Sequence, residues 1–237
     1  EPFDVPDYWH KWLICDPQYH RFAVLLFAVD PDGNYYVVSE YFSADEPMAT
    51  RADRIKAMVG HQDKNLPLYV DYANPQDVQE LNYHFARNGA NIGAVPLPVT
   101  KRVEDMVLRV HAMLEGHPDR LYNKITGLTG VYGAPRLLFF NNLSSMWLHS
   151  GRTIQGSRLI WEMKRLSWGK SNKPNKETAG GADATDCLIY GCAIQAASHT
   201  PEPEDNWRAG MSTRDQILWD SMDRQNRTQE LGLQHLK

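Results

Sequence analysis

Three strand-like segments follow one another near the start of the chain, and strands and helices alternate after them. The first three segments, at 12–16, 22–29 and 35–42, are apolar and rich in β-branched and aromatic residues. An Asp-Pro-Asp-Gly-Asn run at 30–34 is a strong turn signal, so the three segments predict an antiparallel meander. A meander that leads into alternating strands and helices predicts an α/β fold, with a mixed sheet of antiparallel and parallel strands flanked by helices.

The remaining elements are predicted from periodicity and from turn residues. Helices are predicted at 49–59, 75–88, 101–115, 143–148 and 157–166, followed by an Ala-rich helix that begins near residue 182. Further strands are predicted at 66–71, 92–96 and 136–140. Residues 122–135, which are rich in Gly, Thr and Tyr, are expected to form an exposed hairpin or loop.

The composition is typical of a globular domain and argues against a membrane-spanning or disulfide-rich protein. The 237 residues are 42% hydrophobic and 23% charged, and no apolar run reaches the length of a membrane span. The three cysteines are odd in number and lack CxxC spacing, which predicts a reducing compartment without structural disulfides. The formal net charge of −4 argues against a polyanionic partner unless the basic residues are clustered.

Four aspartates are predicted to form one carboxylate site. Asp183 and Asp186 lie three residues apart in the first turn of the Ala-rich helix, and therefore on one helical face. Asp16 and Asp71 each end a strand-like segment. Each feature alone has an ordinary explanation, the helix dipole for the pair and a turn for the single aspartates. Together they predict ligands for Mg²⁺ or Mn²⁺, and two such ions serve phosphoryl chemistry.

Basic residues cluster just before the Ala-rich helix. Lys and Arg outnumber the single acid Glu162 between residues 158 and 176, which suits a phosphate backbone beside the carboxylates or, alternatively, a solvated loop. Two more cations open the helix at 101–115, where they oppose the helix dipole; a phosphate contact and simple solvent exposure both explain them. The candidate DNA-binding residues are Lys101, Arg102, Lys164, Arg165, Lys170 and Lys173.

These motifs, in this order, resemble the nuclease domain of the tailed-bacteriophage terminase large subunit. Its C-terminal signature is matched by Leu159-Ile-Trp-Glu-Met-Lys164, the basic loop, and Asp183-x-x-Asp186-Cys-Leu-x-Tyr190. Earlier matches are Pro6-x-x-Trp9 up to Asp16, the Asp-Pro-Asp-Gly hairpin that ends at Glu40-Tyr41, and Tyr69-Val-Asp71 followed by Pro75. The resemblance covers about residues 5–197.

The resemblance implies a ribonuclease H-like fold and a metal-dependent endonuclease that cuts concatemeric viral DNA during genome packaging. Asp16, Asp71 and the Asp183/Asp186 pair match the acidic metal ligands of the family, with Mg²⁺ or Mn²⁺ as the cofactor and two ions expected. Which of Asp183 and Asp186 is the essential ligand is left open, because family members differ there. One departure is the Pro-Gln-Tyr run at 17–19, where the family often carries Gly soon after the first Asp.

The resemblance also implies a domain organisation and a set of partners. Residues 1–12 are expected to be a linker from a missing N-terminal ATPase domain, 13–198 the ribonuclease H-like nuclease domain, and 199–237 a polar C-terminal tail. Double-stranded DNA, the portal protein and the small terminase subunit are the expected partners, without a membrane. The expected location is the host cell cytoplasm during phage assembly.

Two other interpretations remain open at this point. The fold could serve another ribonuclease H-like nuclease, such as a junction resolvase or a transposase-like enzyme. Alternatively, the domain could be a non-catalytic docking module of the packaging machinery, with the Pro-rich acidic tail as the element that binds the portal.

Overall fold

The computed structural model of the protein describes residues 2–60, 65–71, 75–98, 102–122, 124–128, 130–149, 152–168, 174–175 and 181–194. The predicted tail at 199–237 and the candidate DNA-binding residues Lys101, Lys170 and Lys173 lie outside these ranges. Within them, no helix has both the length and the apolar character needed to cross a lipid bilayer.

The chain opens with the predicted antiparallel meander. β1 (His10–Gln18) pairs with β2 (Arg21–Val29), and β2 pairs with β3 (Tyr35–Ser43). In the turn between β2 and β3, the buried Asp30 carboxylate accepts hydrogen bonds from the backbone and side-chain amides of Asn34, at 2.8 and 2.7 Å. These bonds close the turn at the position that the Asp-Pro-Asp-Gly-Asn signal predicts.

Parallel strands extend the meander on both sides into one six-stranded mixed sheet. The further elements of this part are α1 (Met48–Val59), β4 (Leu66–Val70), α2 (Pro75–Asn88), β5 (Ile92–Pro96), α3 (Val103–Leu114) and β6 (Leu137–Phe139). The strand order is β5-β4-β1-β2-β3-β6, with β4 parallel to β1 and β5, and β6 parallel to β3. The predicted fold class is therefore confirmed.

The helix predicted at 143–148 is wrong, because most of this segment forms a strand. The last elements are β7 (Ser145–His149), β8 (Arg152–Gly156), α4 (Arg158–Met163), β9 (Ser167–Trp168), β10 (Pro174–Asn175) and α5 (Asp183–Ala193). β7 and β8 form a separate antiparallel pair, in which Met146 is exposed and Trp147 is buried, as strand alternation requires. So short an apolar run does not separate helix from strand by its periodicity.

Both faces of the sheet are covered, and β1 shows how its residues are divided between them. Leu13 and Cys15 point into the core that includes residues of α1 and α2, whereas Trp12 and Ile14 point into the core that includes residues of α3 and α5. Because successive side chains of a strand alternate, Asp16 falls on the α5 face of the sheet.

α5 rests on the sheet at Gly191. A Cβ atom built at this residue would lie 2.2 Å from Cζ of the buried Phe27 of β2, so a glycine is required for this close approach. One turn earlier, the Sγ atom of Cys187 lies 3.6 Å from the Ala23 carbonyl oxygen. The contact between α5 and β2 therefore sets the position of the acidic first turn of the helix.

Candidate active site

Asp16 and Asp71 lie side by side at neighbouring positions of the sheet. β1 and β4 are parallel, with Cys15 opposite Val70, and the Asp71 amide donates a hydrogen bond to the Cys15 carbonyl oxygen at 2.9 Å. Cys15 and Val70 both point away from α5, so the residues that follow them point toward it. Asp16 is buried and Asp71 is half-buried. The sequence prediction that these strand positions converge is therefore met by the register of the sheet.

α5 brings Asp186 and Tyr190 to the same place. The Tyr190 hydroxyl hydrogen-bonds to the Asp71 carboxylate. Burial raises the pKa of Tyr190, and the negative charges of Asp71, Asp186 and Asp16 raise it further. Tyr190 lies one helical turn beyond Asp186 on α5, and its hydroxyl meets the Asp71 carboxylate, which follows β4.

Asp183 is connected to the same group through Arg21. The Arg21 Nε atom lies 3.6 Å from Asp183 Oδ2, and Arg21 Nη2 donates a hydrogen bond to Gln18 Oε1 at 3.0 Å. The Gln18 side-chain amide in turn donates to Asp16 Oδ2 at 3.3 Å. A polar chain thus runs from the strand aspartate to the helix aspartate.

The start of α5 is held by a buried ion pair that involves Glu162 of α4. Glu162 is 0% exposed, and its Oε1 lies 2.7 Å from Arg158 Nε. Its Oε2 accepts hydrogen bonds from the Thr185 backbone amide at 2.9 Å and from the Thr185 hydroxyl at 3.2 Å. Burial raises the pKa of Glu162 to about 7, although Arg158 and the Thr185 amide favour the ionised form; the Asp183 charge adds to the rise. Glu162 thereby satisfies one of the free amide groups of the first turn of α5.

A second buried carboxylate fixes the start of α4 in the same manner. Glu40 of β3 accepts hydrogen bonds from the hydroxyls of Ser145 and Ser157, both at 2.8 Å, and from the backbone amides of Arg158 and Leu159, at 2.6 and 3.2 Å. Four donors on one carboxylate satisfy its hydrogen-bonding capacity within the protein. Glu40 therefore has a structural function: it ties the sheet to α4, and α4 in turn positions α5.

The sequence interpretation missed the residues that position the aspartates. Arg21 stands at the start of a strand and belongs to no motif, and Gln18 belongs to a run read only as a departure from the family pattern. From the sequence, Glu40, Glu162 and Tyr190 were noted only as parts of the motifs that resemble the terminase family, and no positioning role was assigned to them. A signal was available for Glu40, since a carboxylate inside an otherwise apolar strand needs several donors if it is buried.

The predicted DNA-binding residues that the structure describes are all exposed. Arg102 precedes the first residue of α3, and Lys164 and Arg165 follow α4. The Arg165 guanidinium lies over the Trp161 ring, 4.2 Å from its centroid. Their role in binding DNA remains a prediction.

The donor set fits a hard divalent cation. Carboxylate oxygens are the preferred ligands of Mg²⁺ and Mn²⁺, and the four aspartates offer no sulfur or imidazole. In the part of the chain that the structure describes, no three Asp, Glu, His or Cys side chains approach closely enough to form a ready metal cluster. The carboxylates instead contact polar neighbours, which are Gln18 for Asp16, Tyr190 for Asp71 and Arg21 for Asp183.

The fold is similar to that of a solved nuclease domain of a phage terminase. The P22 large terminase nuclease domain shares 14% identity with this chain, with a TM-score of 0.52 over 81% of this chain and 84% of that one. The predicted resemblance and the ribonuclease H-like fold are thereby confirmed. Two other solved structures have lower TM-scores. For the large terminase nuclease domain of bacteriophage SPP1 with bound Mn, the TM-score is 0.45, at 12% identity over 76% of this chain and 84% of that one.

For the large terminase nuclease of thermophilic phage G20c with bound magnesium, the TM-score is 0.40, at 10% identity over 81% of this chain and 84% of that one. No protein-family model and no curated protein matches the sequence.

Proposed function

We propose that this chain is a metal-dependent DNA endonuclease of the phage terminase large subunit type, which cuts concatemeric viral DNA during genome packaging. The observation that carries the proposal is the position of Asp16 and Asp71 on neighbouring parallel strands of a ribonuclease H-like sheet, on the face that α5 covers with its acidic first turn. Asp183 joins this group through its ion pair with Arg21. We call these four aspartates the carboxylate cluster.

The carboxylate cluster would hold Mg²⁺ or Mn²⁺, with two ions as the proposed number. When bound, such ions activate a water molecule and stabilise the 3′ oxygen that leaves the phosphorus. The residues of the chain supply the arrangement: the β1–β4 register sets Asp16 beside Asp71, and the Tyr190 hydroxyl orients the Asp71 carboxylate. Both α5 aspartates are proposed as ligands, because they share the first turn of the helix; Asp183 is also linked to Asp16 through Arg21 and Gln18.

The substrate and partners form part of the same proposal. The bound nucleic acid would be double-stranded DNA, contacted by Arg102, Lys164 and Arg165 together with the predicted cations outside the described ranges. Since the chain has a net charge of −4, its affinity for DNA should be weak and strongly reduced by salt. The portal protein and the small terminase subunit are the proposed assembly partners, in the cytoplasm of the infected host cell.

Nicking of supercoiled plasmid DNA in Mn²⁺ tests the proposal. The wild-type chain should nick in Mn²⁺ and not in EDTA. Asp16→Asn and Asp71→Asn should each lower the rate by roughly 100-fold or more, since each removes charge from the metal site. Asp119→Asn is the matched control, because its side chain is 88% exposed and does not belong to the cluster.

Three outcomes would redirect the interpretation. Nicking that survives in both cluster variants would contradict the proposed site. A strong preference for four-way junctions over linear and supercoiled duplexes would instead favour a junction resolvase. The absence of both divalent-ion binding and cleavage would favour the docking module.

A further inference from the structure

Arg21 lies at the edge of the carboxylate cluster, between a buried aspartate and solvent. It is the first residue of β2 and pairs with Gln18 across the two-residue turn that joins β1 to β2. Its side chain is 43% exposed, whereas the Asp183 side chain that it faces is 3% exposed. The Arg21 side chain therefore contacts Asp183 and Gln18 while part of it stays open to solvent.

The backbone before α5 leaves space for this arginine. Gly181 has a φ of +118°, and a Cβ atom at this residue would lie 2.6 Å from Arg21 Nη1 and 2.9 Å from Asp183 Oδ2. Any side chain at residue 181 would therefore meet both partners of the ion pair, and it would also require a backbone conformation that strains residues other than glycine. The closeness of Arg21 to the cluster thus depends on a glycine.

The turn that carries Arg21 is itself anchored. The Arg51 side chain, which is 2% exposed, donates a hydrogen bond from Nη2 to the Tyr19 carbonyl oxygen at 2.6 Å. The Arg51 guanidinium also lies 4.5 Å from the centroid of the Phe22 ring. A buried arginine from α1 thus fixes the backbone of the turn, so Arg21 is presented from a defined position.

The negative charge of the carboxylate cluster must be offset by a nearby positive charge if the DNA backbone is to approach. Four carboxylates repel a phosphodiester, and an arginine at their edge offsets that repulsion. A guanidinium carries five N–H groups; here Nη2 donates to Gln18 Oε1, and Nε faces Asp183 Oδ2 as an ion pair at 3.6 Å. Arginine also matches the geometry of a phosphate better than lysine, because its planar fork donates two parallel hydrogen bonds.

We propose that Arg21 binds a phosphate of the DNA backbone at the edge of the carboxylate cluster while its ion pair with Asp183 holds it in place. The proposal deepens the proposed nuclease function and rests on DNA being the substrate. It assigns Arg21 to DNA binding in addition to its contact with Asp183, and it predicts a salt dependence that a purely structural arginine would not produce.

The test compares the wild-type chain with Arg21→Gln in binding to a short fluorescent duplex, with Ca²⁺ in place of Mg²⁺ and NaCl varied from 50 to 200 mM. The slope of log K against log salt is negative, and loss of one phosphate contact should reduce its magnitude by about 1. The same loss should weaken binding by about tenfold at 0.1 M salt, since the counterion effect vanishes near 1 M. Arg54→Gln is the matched control, because Arg54 is an exposed arginine of α1, on the other face of the sheet.

The outcomes separate this proposal from the proposed function. An unchanged slope in Arg21→Gln overturns the Arg21 proposal, even if the wild type nicks DNA; so does a wild type that binds no duplex. If Arg21→Gln makes the salt slope less steep but the wild-type chain never nicks DNA, the Arg21 proposal is supported while the nuclease proposal fails. If Arg21 only neutralised Asp183, Arg21→Gln would tighten Mn²⁺ binding in calorimetry and leave the slope unchanged, which again overturns the proposal.

A second variant keeps the test valid if Arg21→Gln does not fold. Arg21→Lys retains the positive charge but not the fork, so the salt slope should stay near the wild-type value while the Kd rises several-fold. A Kd equal to that of the wild type in Arg21→Lys would contradict a phosphate contact made through the guanidinium geometry.

Discussion

Substitution of Gly191 by alanine should displace α5 and with it the carboxylate cluster. A Cβ atom at residue 191 would lie 2.2, 2.3 and 2.9 Å from three ring atoms of Phe27. Real Cβ atoms do not approach carbon that closely, so either the ring or the helix must move. Phe27 has little freedom, because it is 0% exposed and stacks on Trp12 with a centroid distance of 5.4 Å and an interplanar angle of 8°. The helix is therefore expected to move.

The energetic cost follows from two opposing effects. Alanine is better than glycine in a helix by about 1 kcal/mol, which favours the variant. Overpacking of a well-filled core costs about 1–3 kcal/mol, and a clash with a fully buried ring belongs at the upper end of that range. We therefore expect Gly191→Ala to lower the free energy of unfolding by about 2 kcal/mol. Plasmid nicking should fall by more than this loss of stability explains, since the shift carries Asp183 and Asp186 away from the strand aspartates.

Urea unfolding measures the stability of the variant, and nicking in Mn²⁺ at a temperature where it is fully folded measures its activity. The compensating variant Phe27→Leu removes part of the ring. The double variant with Gly191→Ala should therefore be destabilised by less than the sum of the two single changes, with a coupling of about 1 kcal/mol or more. Additive effects, or a Gly191→Ala chain that is as stable and as active as the wild type, would refute the argument.

Two further predictions concern the hydrogen bonds of the site. Tyr190→Phe removes the donor to Asp71, so nicking and Mn²⁺ affinity should both fall by about 10-fold or more, as expected for loss of a group that orients a ligand; an unchanged Mn²⁺ affinity in calorimetry would exclude this role. Burial raises the pKa of Glu162 from 4.5 to about 7, so the folded chain binds a proton at Glu162 more tightly than the unfolded chain does. The stability gained from this proton is complete below pH 4.5 and is lost as the pH rises through 7. Between pH 5 and 8 the free energy of unfolding of the wild type should fall by up to about 3 kcal/mol relative to that of Glu162→Gln, and parallel urea-unfolding profiles of the two proteins would contradict the prediction.

The meander could be predicted because local signals determine it, whereas the closeness of Asp16 and Asp71 depends on the parallel register of β1 and β4. The turn at 30–34 separates β2 from β3, and Asp71 directly follows β4 as predicted. Asp16 is predicted to end its strand, but β1 continues to Gln18, because Asp16 and Pro17 still pair with β2. The strand at Ser145–His149 could not be predicted from its own sequence. The buried Trp147 faces the Arg158 guanidinium at 5.5 Å, and that contact depends on tertiary structure.

The partners of the positioning residues could not be predicted, since they lie far away in sequence. Glu162 hydrogen-bonds to Thr185, which lies 23 residues later in the sequence, and Glu40 hydrogen-bonds to Ser157, which lies 117 residues later. Arg21 gains its place through the β1–β2 register and through Gly181, which lies far away in sequence. The sequence shows which chemical groups such residues carry, but only the tertiary structure shows which residues they contact.

Anomalous diffraction from a crystal of the chain soaked in Mn²⁺ tests the proposed metal site, because it locates the ions without reference to activity. We predict manganese bound by carboxylate oxygens of Asp16 and Asp71, with Asp183 or Asp186 of α5 completing the set. Manganese bound only by side chains outside these four aspartates, or no anomalous peak between β1, β4 and the start of α5, would contradict it.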